Sequence, residues 1–211
     1  MRKGKFVVVE GISGSGQQVK AAIVGLHKAL VERKIDVVEC SNPDSGRAQE
    51  LGIANMLNWP FGKDSRADFF FEGAVRAEIF RNIVRPALED DKIVLCKQSS
   101  ISSLANAWVN GQSAHFDVLR HLDKISRGFL FDDEIYPDLT IFIDVPAEDA
   151  CERIEDVLQI HHEGGLDYYK KMREFYLSEI SRWRGVRVDA SAGRSEEEIN
   201  AEVLSLVQAI L

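Results

Sequence analysis

The stretch "VVVEGISGSGQQVKAA", residues 7–22, joins an apolar, β-branched run to a helical pattern through a glycine-rich turn. Strand, glycine loop and helix in that order bind phosphate for a physical reason. The glycines let consecutive backbone N–H groups point inward, and the helix that follows presents its positive end. The complete motif, G-x-x-x-x-G-K-[ST], adds a lysine that bridges terminal phosphates and a hydroxyl that holds magnesium. Here Gly11, Gly14 and Gly16 keep the spacing, with Ser13 and Ser15 between them, but the last two positions are Gln17 and Gln18. The expectation is a phosphate-binding loop over Gly11–Gln18 that keeps its backbone and lacks its charge. A turn that needs only positive φ is the plain alternative.

Outward from this loop, short apolar runs alternate with longer helical patterns. Lys5–Glu10, Asp36–Cys40, Lys92–Cys96, Leu139–Val145 and Gly185–Ala190 read as strands. Their near-continuous hydrophobicity suits a parallel sheet covered on both faces. Val19–Arg33, Arg76–Asp90, Ala147–Leu158, Tyr168–Trp183 and Ser195–Leu211 repeat apolar residues at helical spacing. The alternation predicts a three-layer, doubly wound α/β fold with its ligand crevice beyond the carboxyl ends of the strands. With 211 residues and no repeat, low-complexity tract or linker, the chain reads as one domain over 1–211, with a lid-like segment near 158–166.

Composition narrows the function classes. A hydrophobic fraction of 45% with 28% charged residues is that of an ordinary globular protein. The net charge of −8 argues against a nucleic-acid partner, which calls for a basic patch. No apolar run approaches the roughly 20 residues that span a bilayer, so no membrane partner is expected. Cys40, Cys96 and Cys151 are odd in number and widely spaced, as reduced thiols in a cytoplasmic protein would be.

The blocks of this chain resemble the thymidylate kinase family, whose members phosphorylate dTMP with ATP and magnesium. "KFVVVEGISGSG" is similar to the family's first strand and loop, and "RAEIFRNIVRPALEDDKIVLC" to its long helix and third strand. "SSLANAW" (Ser102–Trp108), "PDLTIFIDVPAEDACERI" (Pro137–Ile154) and "VDAS" followed by "EEEI" continue the resemblance nearly to the end. It implies a P-loop nucleoside-monophosphate-kinase fold and a homodimer assembled through helices.

Departures from the family pattern fall on its chemistry. Where the family's third strand ends in Asp-Arg-Tyr or Asp-Arg-Phe, this chain has Lys97, Gln98 and Ser99. The family's Arg-Glu-Pro-Gly-Gly loop corresponds to Ser41–Ser45, in which only Pro43 matches. The aromatic residue that stacks on thymine corresponds to Glu72, with Phe71 beside it. Arg76 matches the base-contacting arginine, a helix-surface role being the alternative. Between Ala147 and Met172, where many members carry a lid arginine, the sole arginine is Arg153. Substrate contacts are thus expected at Pro43, Phe71 and Arg76; Phe69, Phe70 and Phe71 also fit a core.

Glu10 and Asp144, near the ends of neighbouring strands, are the candidates for magnesium, with structural anchoring as the alternative; Asp189 reads as a strand-end cap. Lys97 is the candidate displaced cation. Lys20 and the pair His161 and His162 are weaker ones, and surface positions explain them equally. Two accounts follow. In the first, the chain is a catalytically degenerate thymidylate-kinase homologue acting as a nucleotide-binding or protein-interaction module, with ATP and magnesium bound only if the nucleotide site persists. In the second, it is an active nucleoside-monophosphate kinase that uses a displaced lysine. A scaffold without ligand is the bland third.

Overall fold

The computed structural model describes residues 4–42, 50, 52, 65–129, 134–158 and 165–211. Pro43, His161 and His162, and residues 159–164 of the expected lid, lie outside the described residues. Five parallel strands form one sheet: β1 (Lys5–Glu10), β2 (Val37–Ser41), β3 (Ile93–Lys97), β4 (Leu139–Asp144) and β5 (Gly185–Asp189), in the order β2-β3-β1-β4-β5. Each strand expected from the sequence is present, shifted by at most one residue at either end. The central strand β1 pairs with β3 through Val7↔Leu95 and with β4 through Val9↔Ile141. Its carboxyl end is therefore where connections diverge to the two halves of the sheet, the place where such folds open a ligand crevice.

Helices cover both faces. On one side α1 (Gly16–Glu32) buries Val19, Ile23, Leu26 and Leu30 in a core with Val7, Val9, Ile93 and Leu95. On the other, Phe6, Val8, Val94 and Cys96 meet Val75, Ile79, Val84 and Leu88. The alternation of these two sets along β1 and β3 follows from the two-residue period of a strand. The three-layer α/β fold expected from the sequence is borne out.

The long helix is less regular than its spacing predicts. α2 (Ser65–Ile79) passes through a widened π turn, Phe80–Val84, into the short α3 (Arg85–Glu89). Pro86 explains the widening: it has no N–H for the carbonyl one turn earlier, and the Arg85 N–H bonds Phe80 O instead. After β3 come α4 (Ser100–Val109) and α5 (Phe116–Ser126), the latter absent from the sequence expectations. α6 (Ala147–Leu158) follows β4, and α7 (Gly165–Glu179) runs into a 3₁₀ turn, Ile180–Trp183. The last helix, α8 (Glu196–Gln208), packs against α1. No helix of the described residues is long and apolar enough to cross a membrane. Cys40, Cys96 and Cys151 form no disulfide.

Candidate functional site

The glycine loop leaves β1 and enters α1 as a tight turn. Gly14 has φ +88°, and a Cβ there would stand 2.3 Å from the Ala150 carbonyl oxygen, so both backbone conformation and space require glycine. Buried Ser15 locks the turn internally: its hydroxyl donates to Ile12 O at 2.6 Å and its N–H to the same oxygen at 3.0 Å. Gly16 opens α1, and a Cβ added there would meet nothing within 4 Å. No side chain caps α1 and its first turn holds no acidic residue. The first N–H groups of a helix have no partner within it, and here none is supplied by a cap. By contrast, α8 carries a complete capping box from Ser195 and Glu198 and three glutamates in its first turn.

The loop's own side chains bring no charge to this bare helix end. Gln17 is exposed, Lys20 is exposed further along α1, and Gln18 Oε1 is buried with no hydrogen-bond partner among the described residues. Ser13 is exposed and stands near the Tyr168 hydroxyl of α7. Burial, its largest cause, pushes the Tyr168 hydroxyl up to about 12. That hydroxyl donates to Asn106 Oδ1 at 3.1 Å.

The turn after β3 faces the loop across β1. Gln98 has φ +59°, a left-handed conformation that costs a non-glycine residue about 1–2 kcal/mol. It is held by its N–H on Val9 O at 3.0 Å and by the Cys96 thiol, which donates to its carbonyl at 3.1 Å. The turn aims the Ser99 N–H at Glu10, which accepts it at 2.9 Å. The second Glu10 oxygen accepts from the Tyr176 hydroxyl at 3.1 Å, and the Tyr176 ring stacks on Phe142. Glu10 is fully buried, and burial pushes its carboxyl from 4.5 up to about 7, against the lowering pull of Ser99, Tyr176 and Arg76. Its geometry is that of an anchor joining β1, the β3 turn and α7.

Lys97, the last residue of β3, lies level with Val9 and Ser41 on the neighbouring strands. Strand alternation places it on the face of Ile93 and Leu95, the face α1 covers. It is half-buried, and its ammonium makes no hydrogen bond or ion pair with any described residue.

Asp144, at the end of β4, is fully buried, and guanidinium groups engage both its oxygens. Arg173 of α7 donates Nε at 2.6 Å and Nη2 at 2.8 Å, and Arg187 of β5 donates Nε at 2.5 Å. Three of the roughly four acceptor sites of this carboxylate are thus taken by guanidinium donors, and the described residues contain no group of three His, Cys, Asp or Glu side chains that could hold a metal. The bare loop fits phosphate, but these residues do not fit magnesium. Arg173 lies one residue beyond the Ala147–Met172 segment in which the sequence leads one to expect a lid arginine. Its signal is present: Tyr169, Met172, Arg173 and Tyr176 share one helical stripe, and the other three are buried. Asp189 is a strand-end partner as expected, accepting from Ser191 Oγ at 3.0 Å.

Arg76 is neither on the helix surface nor open to a ligand. It is 1% exposed and all five of its N–H donors are engaged. Nη1 bonds Asp123 at 2.7 Å and Ser126 at 3.2 Å, and Nη2 bonds Ser103. The Asn42 amide, oriented with Oδ1 toward the guanidinium, accepts the rest from Nε at 3.2 Å and Nη2 at 3.1 Å. Beside the loop a cavity of about 220 Å³ is lined by Asp68, Phe69, Glu72, Ser103, Asn106 and Tyr168, among others. Phe69 faces it from the core; Phe71 is half-buried and is not part of its lining, and Phe70 is exposed.

Comparison with known proteins agrees with this geometry. The thymidylate kinase family model matches residues 9–203. The chain belongs to the thymidylate kinase family. It is 28% identical to the probable thymidylate kinase of Pyrococcus abyssi over 211 residues, covering 98% of this chain and 97% of that one. Thymidylate kinase of Desulfovibrio desulfuricans is 31% identical over 218 residues, 98% and 96% of the two chains. That of Pelotomaculum thermopropionicum is 28% identical, covering 99% and 95%. Within a thymidylate-kinase fold, then, the loop has no cation of its own and Arg76 has no donor left to offer.

Proposed function

We propose that this member of the thymidylate kinase family binds a nucleotide through the backbone of Gly11–Gln18 and has lost efficient phosphoryl transfer. The observation that carries the reading is the uncapped start of α1 above Gly16, with Gln17 and Gln18 where a lysine and a hydroxyl belong. Phosphoryl transfer is mostly positioning and charge stabilisation, and an arginine contact alone contributes roughly 10³–10⁵ in rate where it acts. A loop with no cation and an Asp144 occupied by two arginines leave the phosphate cradle without its electrostatic half. The protein then serves as a nucleotide-responsive binding module, taking ATP or a dTMP-like ligand without a resident magnesium ion.

A second reading is favoured by one observation. Lys97 is half-buried, has no partner among the described residues and lies on the α1 face. An ammonium there is the candidate to replace the loop lysine in an active kinase.

Two measurements on the full chain separate these readings. Calorimetric titration with ATP and with dTMP tests binding, and transfer from labelled ATP to dTMP with magnesium tests turnover. Binding without turnover above a loop-deleted control is the expected result. Turnover abolished by Lys97→Ala would establish the second reading, and failure of both ligands to bind would leave a scaffold.

A further inference from the structure

Away from the loop, α5, the end of α7 and the strap Glu134–Pro137 enclose a cavity of about 330 Å³ that shares no lining residue with the one beside the loop. Its construction begins in the sequence of α5, where Asp117, Arg120, His121 and Lys124 recur at i, i+3, i+4 and i+7 and therefore share a face. One turn on, Arg127 forms the floor and is 2% exposed. The stacked rings of Tyr136 and Trp183, with centroids 5.1 Å apart, line the same cavity, and the Arg127 guanidinium lies 5.0 Å from each. Lys124 and Arg182 are exposed residues of its lining.

The floor arginine has unused donors. Arg127 Nε bonds Asp123 at 3.1 Å, and Nη1 bonds Glu134 and the Ile135 carbonyl, the latter at 3.4 Å. The two N–H groups of Nη2 meet no acceptor among the described residues. Pairing decides which charges around the cavity remain available. Four cations, Arg120, Lys124, Arg127 and Arg182, line it with three carboxylates, Asp117, Asp123 and Glu179, and a fourth carboxylate, Glu134 of the strap, bonds Arg127. Asp123 is shared with Arg76, outside the cavity, and Glu179 with Arg120 at 2.7 Å. Lys124 has no partner among the described residues, and Arg182 approaches Glu179 only to 3.8 Å.

We infer that this cavity is a second ligand site, independent of the loop, for a small phosphomonoester whose oxyanion is received by Arg127 Nη2 and by Lys124 and Arg182. A planar guanidinium edge and two exposed cations suit a phosphate oxyanion. The cavity volume leaves room for a sugar-sized body against Tyr136 and Trp183.

The test follows the Trp183 indole N–H resonance of the ¹⁵N-labelled full chain during titration with ribose 5-phosphate. Neutral ribose and sodium chloride of matched ionic strength are the controls. A saturable shift specific to ribose 5-phosphate is expected. The double variant Lys124→Gln, Arg182→Gln changes only exposed residues and should weaken it about tenfold or more. The loop variant Gln17→Lys should leave it unchanged, which separates this site from the nucleotide cradle whatever the cradle binds. No shift at Trp183, a shift reproduced by ribose or chloride, or undiminished binding by the double variant would overturn the assignment.

Discussion

Replacing Glu10 by glutamine should flatten the dependence of stability on pH. The Glu10 carboxyl is fully buried, and burial raises it from 4.5 to about 7 despite hydrogen bonds from Ser99 and Tyr176 and the field of Arg76. The folded protein therefore holds this proton more tightly than the unfolded chain does. Below pH 4.5 both states are protonated and the full contribution is present. As pH rises from 4.5 to 7 the unfolded chain ionises first, stability falls, and above about 7 the loss is complete. A rise of this size corresponds to about 3 kcal/mol. Urea unfolding across this pH range gives the free energy at each point by linear extrapolation. Glu10→Gln can still accept from the Ser99 N–H and can donate to the Tyr176 oxygen. It should match the parent near pH 4.5 and exceed it by about 3 kcal/mol above pH 7. Parallel curves for the two proteins would refute the reasoning, because Glu10 would then titrate alike in the folded and unfolded states.

Other perturbations test the frame around the site. Asp123→Asn leaves Arg76 and Arg127 buried without their shared counter-charge and should destabilise by about 3–5 kcal/mol in urea. Gly14→Ala combines a left-handed backbone with a Cβ 2.3 Å from Ala150 O, and should cost about 2–4 kcal/mol by thermal unfolding. Gly16→Ala meets nothing within 4 Å and should leave stability within about 0.5 kcal/mol while weakening calorimetric ATP binding, since the new methyl projects into the space above the loop. Ser195→Ala removes one half of the α8 capping box and should cost about 1 kcal/mol in the same thermal assay.

Much of the site's backbone was legible along the chain because its causes are local. The apolar run before Gly11, the glycine spacing and the periodicity of residues 19–33 together place a loop over the carboxyl end of the central strand. The loss of charge at Gln17 and Gln18 is visible by inspection. Pro86 carries the signal for the break in the long helix, which the spacing alone reads as continuous. The helix Phe116–Ser126 was not expected, although the charged face it carries is spaced at helical intervals.

The roles of the charged residues were not legible in the same way. Arg76 reads from sequence as a base contact or a surface arginine, and its donors are instead taken by Asp123 and Ser126, 47 and 50 residues away. Asp144 reads as a metal candidate, and both its oxygens are engaged by Arg173 and Arg187, 29 and 43 residues away. Lys97 is the reverse case, a cation named from the sequence that the fold leaves without a partner among the described residues.

By itself, then, the sequence determined the strands, most of the helices, their parallel winding and the glycine turn. Each follows from hydrophobic period and backbone sterics, which act between near neighbours. Only the tertiary structure decided which charges remain available. A hydrogen bond or ion pair acts over about 3 Å, and whether two side chains distant in sequence come that close depends on strand register and helix docking.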